Sequence, residues 1–161
     1  MRQPVNDAAL LTHLPGASPD DMGVDVVVRV YQPADEDEVV DLWNRCQLVV
    51  PANDPRGDIA RKQEVQPDLL LVGTVRGRVV ATVMAGYDGH RGWINYLAVS
   101  PDFQRRGIGR RMMEEAEQKL RELGCPKVNL QVRGSNAGVV EFYTRIGYAV
   151  EERVSLGKRI D

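Results

Sequence analysis

The sequence predicts an α/β domain, with helices flanking a mixed and mostly antiparallel sheet, and three observations carry that reading. Short apolar, β-branched runs recur at 26–31, 68–75, 78–87 and 93–100. Arg76-Gly77 stands between two of these runs as a tight-turn signal, the glycine supplying a positive φ, so they form a hairpin. Apolar residues at helical spacing, by contrast, mark 39–46 and 108–123.

Taken in order, VVVRVY at 26–31 is the first strand. Pro33 opens a helix whose first turn, Asp35-Glu36-Asp37-Glu38, suits the positive end of the helix dipole; Val39, Leu42, Trp43 and Cys46 give its apolar face. Asp54-Pro55 is an N-cap followed by proline at the first helical position, which predicts a second helix over about 55–66. Its apolar content is thin, as in a helix lying over a cleft or rim. After the hairpin and the strand at 93–100, Ile108, Met112, Ala116, Leu120 and Leu123 share one face of a long helix. Glu115/Lys119 and Glu117/Arg121 support it as i,i+4 pairs, and Gly124 closes it before Pro126. KVNLQV at 127–132 reads as a strand, Asn136 to Ile146 as a helix ended by Gly147, and Tyr148 to about Lys158 as a final strand.

A chain of 161 residues with 43% hydrophobic residues can bury a core as one domain, read here as 25–161, after a mobile extension over 1–24 with no sustained periodicity. A net charge of −2 argues against a nucleic-acid-binding domain. Cys46 and Cys125 form no CxxC pair and read as reduced thiols of a cytoplasmic protein, and with His13 and His90 the sole histidines no metal site is expected. No apolar run has the length of a membrane span. Monomer and homodimer are both compatible with the sequence.

The stretch PDFQRRGIGRRMMEEAE, 101–117, places two glycines at the start of the long helix beside four arginines. A helix start carries unpartnered N–H groups and roughly half a positive charge, and glycine lets an anion approach them. Gly107 and Gly109, with Arg105, Arg106 and Arg110 beside them, therefore read as a pyrophosphate seat. A loop that merely needs glycine, or a solvated basic face, is the structural alternative. The familiar phosphate motifs are absent: there is no GxxxxGK[ST], and GxGxxG would need glycine where Met112 stands. Phe103 alone accompanies the arginines, which is too little for a stacking platform for RNA.

Gln104-Arg105-Arg106-Gly107-Ile108-Gly109, following Leu97-Ala98-Val99 and a Pro-Asp-Phe turn, resembles motif A of the GNAT superfamily of N-acetyltransferases. Asn136-Ala137 with Phe142-Tyr143, Arg145 and Gly147-Tyr148 is similar to its motif B, and the element order from about 26 to 159 looks like its fold. GYDGHRG and SLGKR add a likeness to the small bacterial YpeA-like group. The resemblance implies acetyl-CoA as co-substrate, an amine acceptor, and site residues on matching positions. Amides of residues 105–110 (Arg105, Arg106, Gly107, Ile108, Gly109, Arg110), after Gln104, would hold the pyrophosphate. Leu97 and Val99 would pair through their backbones with the pantetheine arm, Asn136 would contact the same arm, and Tyr143 would protonate the leaving thiolate. Asn136 equally suits a helix N-cap, and Tyr143, on a face with Val139 and Ile146, a core position.

Many relatives carry a glutamate base on the strand before motif A; Trp93-Ile94-Asn95-Tyr96-Leu97 offers no carboxylate. Asp88, His90, Asp54 and Asp58 remain for a water-relayed proton, or as turn and cap residues. Trp43, Asp54, Asp58, Tyr87 and Asp88 are expected at an acceptor rim whose acidic and aromatic character would suit a cationic amine. Two functions are compatible with these residues: an acetyl-CoA-dependent N-acetyltransferase, or a non-catalytic acyl-CoA-binding module of the same fold.

Overall fold

The computed structural model describes residues 24–160, so the extension expected over 1–24 lies, Val24 apart, outside the described residues. Strand β1 spans Val27–Val30, followed by helices α1, Glu36–Arg45, and α2, Pro55–Glu64. Three strands come next, β2 (Leu70–Val75), β3 (Arg78–Tyr87) and β4 (Gly92–Val99), then helix α3 (Ile108–Glu122), strand β5 (Val128–Leu130) and helix α4 (Ala137–Arg145). The sheet runs β1-β2-β3-β4-β5, antiparallel throughout except for the parallel β4–β5 pair. This is the mixed, mostly antiparallel α/β architecture expected.

Helices cover both faces of the sheet. On one, Ile108, Met112, Met113, Ala116 and Leu120 of α3 pack with Tyr143 of α4 against Leu71, Val83 and Ile94. On the other, Val39, Leu42 and Trp43 of α1 and Ile59 of α2 pack against Leu70 and Val72. Strand β2 is covered on both faces, which is why its sequence reads as a continuous apolar run rather than an alternating one. The hairpin turn takes positive φ at both Arg76 and Gly77, 50° and 77°, the primed turn whose twist matches the flanking strands.

Strand β4 carries a bulge midway. Thr82 pairs with Ala98 and Met84 with Asn95, so Val83 faces the two residues Tyr96 and Leu97. Tyr96 takes φ 50° there. Thr82 Oγ1 holds the bulge by donating to Tyr96 O (2.8 Å) while accepting from the buried Trp43 Nε1 (2.8 Å). The Trp43 ring stacks on Tyr96 at 3.8 Å.

Three expectations are corrected. No strand forms over 148–158: Gly147 ends α4 at φ 102°, residues 149–160 are exposed, and β5, the edge they would join, ends after three residues. Side chains connect that segment to β5 and the residues flanking it, from Asn129 and Lys127 to Glu151 and from Gln131 to Ser155. Leu123 follows the last turn of α3 and is 52% exposed rather than part of its buried face. Glu115 pairs back to Arg111 (2.7 Å) instead of forward to Lys119, whereas Glu117–Arg121 forms as expected (3.2 Å).

Candidate active site

Backbone pairing between β4 and β5 stops at Ile94 and Leu130, while β4 runs on to Val99. Ser100 N–H donates to Val80 O on β3 (2.7 Å), so alternation turns the polar groups of Leu97 and Val99 to the opposite, open edge. Val99 O accepts from Gln104 Nε2 (3.1 Å) and Cys46 Sγ (3.4 Å) there. Gln104 thus fastens the loop after β4 to the strand it leaves.

That loop enters α3 through two left-handed residues, Arg105 at φ 61° and Gly107 at φ 76°. Gly107 is the N-cap, with no capping side chain, and the first turn contains no acid. The other helix starts differ: Asp54 accepts from Gly57 N (3.0 Å) on α2, Asn136 from Val139 N (3.3 Å) on α4, and α1 opens on three acids. The first amides of the 15-residue α3 have no side-chain acceptor, and left-handed turns of this kind gather N–H groups into an anion-binding concavity. Arg105, Arg106 and Arg110 form no ion pair among the described residues, although Arg111, Arg121 and Arg145 do. Arg106 lies over the Phe103 ring at 5.5 Å. Gly109 serves packing as well, since a Cβ there would sit 3.2 Å from Phe142 Cζ.

Asn136 caps α4, so the structural reading of that residue holds. Tyr143, 9% exposed, packs in the cluster that takes Leu97, Val99 and Phe142, with Tyr148 edge-on at 5.6 Å. Its hydroxyl makes no hydrogen bond among the described residues. Burial pushes its pKa up to about 12, so the phenol keeps its proton across the physiological range.

An open cavity of about 750 Å³ lies beside β4, with Trp93, Asn95 and Tyr96 on one wall and Asp58, Arg61 and Lys62 of α2 among the others. Tyr96 donates to Asp58 Oδ2 (2.6 Å), and Arg61 forms an ion pair with Asp58 Oδ1. Burial first, then Asp58, pushes the Tyr96 phenol well above its ordinary value. The amides of Arg91 and His90 (2.7 and 2.8 Å) hold Asp88 below the usual carboxylate range, and Trp93 Nε1 donates to its other oxygen (3.2 Å). Lys62 is buried, and desolvation lowers the pKa of its ammonium group.

Of the expected rim residues, Asp58, Tyr87 and Asp88 line the cavity. Trp43 is fully buried against Thr82 and Tyr96, and is no rim residue. Asp54 caps α2; Asp58, one turn on, faces the cavity instead of capping. His90 does not line it. Sequence reasoning passed over Lys62 and Tyr96. The signal for Lys62 was present: it stands four residues after Asp58 on a helix with little apolar surface. Tyr96 depends on the bulge, which no local pattern announces.

The chain belongs to the Acetyltransferase (GNAT) family, whose pattern matches residues 35–148, from the start of α1 through α4. It is an N-acetyltransferase. An acetyltransferase of Sodalis glossinidius is 48% identical over 134 residues, covering 83% of this chain and 94% of its own length. Another, from Yersinia enterocolitica, is 45% identical over 133 residues with the same coverage. Among solved structures, an aminoglycoside N-acetyltransferase in complex with CoA superimposes with a TM-score of 0.69 at 16% identity, over 90% of this chain and all of its own.

Proposed function

We propose that the protein transfers the acetyl group of acetyl-CoA directly to a primary amine. The observation that carries this reading is a junction: the edge of β4 at Leu97 and Val99, which β5 leaves without a strand partner, runs directly into the uncapped start of α3. The edge supplies backbone groups for an amide-containing arm, and the helix start supplies N–H groups and arginines for a pyrophosphate. Tyr143 donates its proton to the sulfur as the C–S bond breaks. Acetyl transfer forms the new C–N bond from the amine lone pair, and the nitrogen then loses a proton. With no carboxylate on β4, that proton is taken up by water in the cavity, where the Tyr96 hydroxyl holds Asp58 against the strand. Tyr96 is not the base, because its own proton is donated to Asp58.

Calorimetric titration with acetyl-CoA, joined to a thiol-release assay against amines, amino acids and peptide N-termini, tests the reading. Saturable binding with amine-dependent release is expected. Binding without release on any amine would favour a non-catalytic acyl-CoA-binding module, and absence of binding would end the proposal.

A further inference from the structure

Charge in the cavity beside β4 is unevenly satisfied. Asp58 is held by Tyr96 and Arg61, and Asp88 by two amides and the Trp93 indole. Gln66 is committed at both ends of its amide to the Tyr87 backbone (2.9 and 3.0 Å). Lys62 alone of these is left over. It lines the cavity and is 9% exposed, yet its ammonium makes no hydrogen bond or ion pair among the described residues. The i,i+4 partner that would ordinarily pair with it, Asp58, is turned to Tyr96 and Arg61 instead. The Nζ atom is not sealed away: among the described side chains, Gln63 Nε2 alone is cut off from solvent without a partner. Lys62 Nζ lies beside β3, where a Cβ on Gly86 would meet it at 3.7 Å, an ordinary contact distance.

A desolvated ammonium without a counter-charge is costly, and an anionic ligand would offset that cost. We propose that Lys62 binds a carboxylate carried by the acceptor, so that the preferred acceptors are amines bearing a carboxylate, such as amino acids, rather than purely cationic amines. This rests on the amine-transfer reading of the same site. A single lysine is a point charge and suits a monoanion; the one guanidinium on this stretch of α2, Arg61, already faces Asp58. The acidic rim that would have favoured a cationic acceptor is occupied by its own neighbours.

Matched pairs test this. Amino acids and their amides are compared in the transfer assay, and N-acetyl amino acids and their amides are titrated calorimetrically into protein saturated with CoA. Wild type is expected to favour the carboxylate member at least tenfold in kcat/KM or in affinity. Lys62→Met should bring that ratio close to one, Lys62→Arg should retain part of it, and acetyl-CoA affinity should stay unaltered in both. No carboxylate preference in wild type by either readout would overturn the proposal. So would an undiminished preference in a folded Lys62→Met, or an equal loss for both members of each pair. Loss of acetyl-CoA binding by wild type would instead sink the cofactor reading, while the N-acetyl amino acid titration, run without CoA, would still judge Lys62.

Discussion

A buried tyrosine hydroxyl ordinarily finds a partner, because leaving a donor unsatisfied costs about 1–3 kcal/mol. Tyr143 is 9% exposed as a residue, but its hydroxyl, without a hydrogen bond among the described residues, is not cut off from solvent, so the donor is open to a ligand atom. Tyr143→Phe keeps the ring against Phe142 and Tyr148 and removes only that donor. On a verified amine, kcat should fall by roughly 10²-fold, the lower end for general acid catalysis, with acetyl-CoA affinity within about threefold of wild type. The unfolding midpoint should not drop, since no protein hydrogen bond is lost. Unchanged turnover would remove Tyr143 from the chemistry. This residue and the arginine-glycine loop were legible in the sequence because motifs fix them locally. Trp43 was not: an indole at helical spacing suits a rim or a core equally, and only its bond to Thr82, 39 positions away, decides.

At the scale of the element, the two glycines of α3 have separate physical jobs. Gly107 holds φ 76°, so any side chain there is strained by about 1–2 kcal/mol whatever its charge. Gly107→Gln and Gly107→Glu share that strain and differ only in charge. Acetyl-CoA should bind at least tenfold more weakly to the Glu variant than to wild type, about 1.4 kcal/mol, and more weakly than to Gln. Equal affinities in calorimetry would mean that no anion sits at this helix start. Gly109→Ala should instead lower stability by about 1 kcal/mol, because Phe142 must shift to admit the Cβ. The junction of β1 with α1 makes a pH prediction. Arg29 grips Asp35 with two hydrogen bonds (2.7 and 2.8 Å) and the Gln32 amide adds a third (2.8 Å), holding the Asp35 carboxyl below its ordinary pKa. A pKa depressed in the folded state gives stability that is fully present above the unfolded value of about 3.9 and fades as pH falls through the folded one. Asp35→Asn should therefore cost about 1.5–3 kcal/mol at pH 7, and urea unfolding should show that gap closing below about pH 4. A gap that is constant with pH would mean that the ion pair contributes nothing.

Across the whole molecule, the sheet is strong on one side of the site and weak on the other. Strands β2 and β3 are buried centrally, while β5 holds β4 through three residue pairs and Tyr143 is the sole buried residue of α4. The sequence legibly marked the well-paired half, where apolar runs and turn residues act locally. It overstated the other half, where a strand expected at 148–158 does not form, because whether such a run pairs depends on the length of the edge offered to it. Regions with little buried surface open at low free energy, so amides of 128–146 should exchange faster than those of β2 and β3 in the free protein. If acetyl-CoA lies along the open edge of β4 and meets Asn136 and Tyr143, opening the β5–α4 unit requires its release. Protection of 128–146 should then rise by about 100-fold at a ligand concentration of 100 Kd, the roughly 2.7 kcal/mol that mass action supplies. Hydrogen exchange followed by mass spectrometry, with and without acetyl-CoA, measures this directly. A ligand that raises the melting temperature yet leaves exchange in 128–146 unchanged would bind without bridging the two strands. The open edge would then not be the acyl-carrier channel.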